Sequence, residues 1–240
     1  NSMVSLRLLE GERGRFTATD VLDNINPDDI HFPKTSLVAI ENTVNRGGGC
    51  YYELDNIRQI HEAAKSNGLK MHLDGARIFN ALVETGESPK DYGECFDTIS
   101  VCFSKGLGAP VGSAIIGTKE AIKKARRVRK VFGGAMRQAG FLAAAAVYAL
   151  DHHIDRLQED HKRARSLAGI FQDKEYVMDI LPVDTNIIIL SIDSAYGSER
   201  LLDELRSKGI LGVPFGKNTI RFVTHLDFTD EMLQIIEEIV

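Results

Sequence analysis

Asp74 closes the apolar run Met71-His72-Leu73, and 31 residues later a lone lysine, Lys105, stands between Phe103-Ser104 and Gly106-Leu107-Gly108. A lysine amine at a glycine turn can condense with an aldehyde, and a carboxylate on a neighbouring strand end can keep a pyridine nitrogen protonated. The pair therefore holds the two side chains that a pyridoxal phosphate site requires. Either alone means little. Unpaired lysines are mostly surface residues, and Asp74 reads equally well as the N-cap of a helix starting near Ala76. The flanks of Lys105 weigh against the surface reading. Ser100 to Phe103 is a strand signal, Gly106 and Gly108 permit turns that a β-carbon would obstruct, and α/β proteins place ligands at carboxyl ends of strands. Arg77, three residues past Asp74, offers a planar fork for a carboxylate or phenolate oxygen; its plain alternative is a salt bridge on a helix face.

The elements that must position these residues alternate between strand and helix, which signals α/β architecture. Strands are expected at 3–9, 36–41, 70–73, 98–103, 113–117, 185–192 and 219–224. The run Ser36 to Ile40 is apolar throughout, as for a strand covered on both faces. Helices are expected at 53–67, with Gly68 as its C′ residue, at 119–131, at 198–208 and at 229–239. A long helix is expected from about Arg137 to Gln172, with a buried small-residue half (139–146) and a charged half (156–165). That helix divides the chain into a large domain, 1–150, and a smaller α+β domain, 151–240. The segment Met3 to Leu9 reads as a strand already in progress, so the chain is expected to begin in mid-domain and to lack an N-terminal portion.

A net charge of -5 over 240 residues argues against nucleic-acid binding, and 43% hydrophobic content is ordinary for a globular protein. The basic run Lys123 to Lys130 reads chiefly as a solvated helix face. Three cysteines without C-x-x-C spacing imply neither a disulfide framework nor a metal knuckle, and point to a cytoplasmic setting. No apolar segment approaches the roughly 18 residues of a membrane span, and no secretory leader is apparent. Gly106 to Gly112 is not a dinucleotide loop: its third glycine falls late and Pro110 sits inside. Gly47-Gly48-Gly49 reads as a plain turn. There is no Walker A sequence, H-E-x-x-H pair or G-x-S-x-G elbow.

Three stretches, His72 to Ala81, Ser104 to Ser113 and Met136 to Gly140, resemble the low-specificity L-threonine aldolases. Asp28 to Phe32, Glu41-Asn42-Thr43 and Val223 to Asp227 match as well. That resemblance implies the aspartate-aminotransferase-like fold, PLP fold type I, with a mixed, mostly parallel sheet, and a homotetramer cleaving L-threonine or L-allo-threonine to glycine and acetaldehyde. It implies Lys105 as the cofactor lysine, Asp74 on the pyridine nitrogen, and Arg77 and Arg221 on the substrate carboxylate. His31 would stand near the substrate hydroxyl, and Arg137 would approach the cofactor phosphate. Val44 departs from a histidine of many relatives, and Ala135 from a glycine. Two other readings stay open: another fold-type-I enzyme, of aminotransferase or desulfurase type, or a truncated subunit without activity.

Overall fold

In the computed structural model, which describes residues 4–240, the chain builds two four-stranded sheets, each against its own hydrophobic core. The first sheet runs β1 (Leu37–Glu41), β2 (Lys70–Gly75), β3 (Thr98–Cys102), β4 (Ser113–Gly117) in that spatial order. Its first three strands are parallel and β4 is antiparallel to β3. Parallel neighbours need crossovers, which are supplied by α2 (Leu54–Ser66) between β1 and β2, and by α3 (Ile78–Thr85) and α4 (Pro89–Cys95) between β2 and β3. Ile57, Ile60 and Ala64 of α2 bury against Ile40, Met71 and Leu73 without residual exposure above 2%. Burying a side chain of that size is worth about 1.5–3 kcal/mol each. The short α1 (Ala18–Asp23) opens with a capping box between Thr17 and Asp20.

β1 departs from expectation. Val38 and Ile40 are buried, but Leu37 and Ala39 are exposed, so the strand is covered on one face only. The reason is that α2 and α4 lie on a single side; the apolar composition of the other face finds no cover among the described residues. The expected strand at 3–9 also fails where it is described: Val4 to Leu9 is irregular, with Leu6 and Leu8 exposed, and Asn1 to Met3 lie outside the described residues.

The helix expected from Arg137 to Gln172 is two helices. After α5 (Lys119–Val131) come α6 (Gly140–His152) and α7 (Leu157–Gln172), and the chain turns between them. Tertiary contacts impose the break: a ring nitrogen of His153 donates to the Leu107 carbonyl at 2.6 Å, and fully buried Leu157 packs beside Gly106. The small-residue half of the expected helix is not buried either. Only Ala149 of α6 is buried, and Phe141 is 91% exposed.

The second sheet is wholly antiparallel, ordered β5 (Val177–Ile180), β6 (Ile187–Ile192), β8 (Thr219–Val223), β7 (Val213–Gly216). It packs against α7, α8 (Ser198–Ser207) and α9 (Asp230–Ile239), where Phe171 of α7 stacks on Phe222 of β8 with ring centroids 5.5 Å apart. β5 and β7 are strands that the sequence reading did not expect.

Candidate active site

The residues singled out by spacing collect at the carboxyl ends of the parallel strands. In the β1–β2–β3 register Glu41, Asp74 and Ser100 stand in one row, and paired residues of parallel strands share a face. The backbone of Asp74 does not cap a helix, because α3 begins four residues later with Arg77 in the capping place. Its Oδ1 instead accepts from the Ala76 N–H at 3.1 Å, a local turn that fixes the carboxylate at the carboxyl end of β2. Gly75 is required there, since a β-carbon would lie 2.7 Å from the Ser100 carbonyl oxygen.

Lys105 sits on the connection between β3 and antiparallel β4, and this connection is pinned. The Phe103 N–H donates to the Gly112 carbonyl (3.0 Å), Ala109 to Phe103 (2.9 Å) and Gly108 to Lys105 (2.8 Å), the last turn needing the φ of +69° at Gly108. Lys105 projects into a cavity of about 480 Å³ whose one wall is Arg77, Ser104, Lys105, Gly106 and Gly108. The rest of its lining comes from the ends of β6 and β8 and the turn after β8: Asn186, Val223, His225, Leu226 and Asp227. The volume suits a small organic cofactor or ligand.

Charge in this region is mixed and close. Burial, and then the neighbouring Arg221 guanidinium, hold Arg77 below its ordinary value, while Glu41, Cys102 and Asp74 act in the opposite direction. Arg221 donates from Nη1 to Asn45 Oδ1 at 2.9 Å and lies 4.7 Å over the Phe215 ring, which leaves its buried Nε without a partner. Two adjacent guanidiniums with an unused donor are suited to a carboxylate. Burial pushes the Glu41 carboxyl up and Asp74 adds to that, against the Asn45 N–H, Arg77 and Lys105. Glu41 therefore feels the charges of Asp74, Arg77 and Lys105.

Behind the lysine loop lies a buried polar network. The Asn80 side-chain amide donates to His161 Nε2 at 3.1 Å, so His161 carries its proton on Nδ1 and donates to Glu84 Oε2 at 2.8 Å. Arg165 also binds Glu84. Asn80 and His161 are 2% and 0% exposed, and Asn80 Oδ1 lies 3.5 Å from where a Gly106 β-carbon would stand. This chain of contacts ties α3 and α7 to the loop that carries Lys105.

Of the residues expected from the sequence, Lys105 and Arg77 line the cavity, Asp74 stands in the strand-end row beside them, and Arg221 neighbours Arg77. His31 lies elsewhere, on an exposed turn with its Nδ1 2.7 Å from Asp29 Oδ1, and Arg137 is exposed and outside the cavity lining. Sequence reasoning missed Glu41, Asn186 and the Asn80–His161 pair as site residues. Glu41 and Asn186 end and begin apolar runs, which is a usable signal; Asn80 and His161 carry none, because only the fold brings positions 81 residues apart into contact.

The donor set fits pyridoxal phosphate on an observation of this structure: Lys105 and Arg77 line one cavity, the Asp74 carboxylate is near enough for its charge to act on Arg77, and Arg221, whose buried Nε has no partner, neighbours Arg77. The architecture agrees. It superposes on a threonine aldolase of Leishmania major with a TM-score of 0.79 at 21% identity, over 95% of this chain and 68% of that one. It also superposes on an ornithine aminotransferase of Toxoplasma gondii with a TM-score of 0.63 at 19% identity, over 92% of this chain and 52% of that one. The fold is thus the α/β fold type I expected from the sequence. Within it, the chain belongs to the beta-eliminating lyase family, whose model matches residues 1–195. It is 43% identical over 205 residues to a probable low-specificity L-threonine aldolase of Arabidopsis thaliana, which covers 84% of this chain and 58% of that protein. It is 39% identical over 220 residues to the low specificity L-threonine aldolase of Escherichia coli K12, over 92% and 64% respectively. The chain therefore spans about three-fifths of the length of these curated relatives.

Proposed function

We propose that the protein cleaves L-threonine or L-allo-threonine to glycine and acetaldehyde with pyridoxal phosphate held at Lys105. The observation that carries this reading is that Lys105 and Arg77 line one cavity while Asp74 stands at the neighbouring strand end, its charge acting on Arg77. When bound, the cofactor supplies an electron-withdrawing pyridinium that accepts the electron pair of the Cα–Cβ bond. The chain's own residues would do the rest. Asp74 would keep the ring nitrogen protonated, an ion pair that strengthens as water leaves the site. Arg77 and Arg221 would grip the carboxylate and so fix which bond stands across the ring. Arg137 would meet the phosphate, from a neighbouring subunit if not from its own.

The β-hydroxyl proton needs an acceptor. His31, or a water it orients, is one assignment, and His225 on the cavity wall is the other. Replacing each in turn separates them, because the acceptor's loss lowers kcat while the bystander's leaves turnover intact. The reading also includes a homo-oligomer, a tetramer by resemblance, supported by the exposed apolar side chains of α6, Phe141, Val147 and Tyr148. Sedimentation analysis tests that. No helix among the described residues is long and apolar enough to cross a membrane.

The whole proposal is tested on the full-length protein supplied with pyridoxal phosphate. Visible absorption, borohydride reduction that adds the cofactor mass to the Lys105 peptide, and acetaldehyde release from threonine are the expected results. A colourless protein with no mass gain at Lys105 overturns it. Similarity to aminotransferases concerns the fold alone, and the named sequence relatives favour the aldolase.

A further inference from the structure

Asn186 is the first residue before β6 and pairs with Thr224, the residue after β8. It is 2% exposed, yet it is among the residues that line the same cavity as Lys105. Its amide orientation is determined by chemistry: the group facing the Thr224 carbonyl, 2.9 Å away, must be the NH2, since two carbonyl oxygens would repel. That leaves Asn186 Oδ1 as a buried acceptor without a partner. An orphan acceptor of this kind costs free energy in the empty protein, which a ligand donor can recover.

Resting on the reading above, we propose that Asn186 Oδ1 receives the α-amine of the incoming amino acid and is a specificity-determining residue of this site. The other charged end of an α-amino acid is a carboxylate, for which Arg77 lines the same cavity. The remaining donor requirement is an ammonium with three N–H groups. A neutral carbonyl acceptor is the right chemistry for it. A carboxylate would hold the amine in its charged form, whereas the exchange chemistry that the cofactor would supply at Lys105 needs the amine neutral. Asn186 can orient the amine without raising its pKa far. Held in this way, the nitrogen arrives with a lone pair available once the proton leaves to solvent, and no covalent step involves Asn186 itself.

The test uses the full-length, cofactor-loaded protein after borohydride reduction, which blocks covalent exchange and cleavage. Calorimetry then compares L-threonine with 3-hydroxybutyrate, which lacks only the amine. Unsubstituted protein is expected to prefer threonine, and Asn186→Ala to reduce that preference about tenfold, equivalent to about 1.4 kcal/mol. An unchanged preference, or equal weakening of both ligands, overturns the proposal. Should the alanine variant fail to fold, Asn186→Asp is nearly isosteric and decides the matter in unreduced protein. It is expected to move the pH profile of amine exchange, followed by cofactor absorbance, to higher pH; an unmoved profile refutes the role. If reduction attaches no cofactor at Lys105, the proposed function fails instead, and the two failures are distinguishable.

Discussion

Replacing His161 with leucine should destabilise the protein by about 2–4 kcal/mol although leucine fills a similar volume. His161 is fully buried, accepts from Asn80 Nδ2 at 3.1 Å and donates to Glu84 at 2.8 Å. Leucine leaves the Asn80 amide unpaired at 2% exposure, which costs about 1–3 kcal/mol. Glu84 loses less, because its side chain is 25% exposed and keeps Arg165. Urea unfolding with the m-value held constant measures the sum. Asn80→Leu alone removes the same bond from the other side, so the double variant should cost about 1–2 kcal/mol less than the two singles added. Additive singles, or a loss below about 0.5 kcal/mol for His161→Leu, would refute the claim that these groups form one satisfied network.

The same histidine makes stability depend on pH. Burial is the leading cause that lowers its pKa below 6.5, so the unfolded chain binds the proton more readily than the folded one. Its contribution is complete above about pH 6.5 and is lost as pH falls toward the depressed folded value, so melting temperature should drop on acidification through that window and drop less in His161→Leu. Gly75→Ala places a β-carbon 2.7 Å from the Ser100 carbonyl and should cost about 1–3 kcal/mol, with β2 and β3 forced apart, as hydrogen exchange at Val101 would report. Phe171→Ala empties the stacked pair with Phe222 and should cost about 3–5 kcal/mol by the same unfolding assay while leaving the lysine loop intact.

What the sequence revealed depended on how local each feature is. Helix α5 was legible to the residue, since Thr118 caps it through the Ala121 N–H and the glycines at 133 and 134 close it. The strand ends bearing Asp74 and Lys105 were legible for the same reason: short apolar runs met a carboxylate, a lysine and glycines. β7 was hidden because Pro214 and Gly216 punctuate a four-residue strand that exists only by pairing with β8. The break between α6 and α7 was hidden because its anchor, the Leu107 carbonyl, lies 46 positions from His153. One-sided cover of β1 was likewise invisible, as apolar content does not say what lies above each face. In the site, side-chain type singled out Lys105, Asp74 and Arg77, of which Lys105 and Arg77 line the cavity, while Asn186 emerged only when its carbonyl oxygen was seen to lack a partner.

The cavity borrows its two walls from different sheets, each with a separate core. The backbone that carries Lys105 is held by hydrogen bonds across its connection. Helix α7, which backs the second sheet, is tied to the same loop through Leu157 beside Gly106 and through His161 on Asn80, so it joins the two halves of the cavity. Mild denaturant or pressure that lets the halves part should abolish ligand capture while both cores are still folded, so that loss of binding precedes loss of circular dichroism.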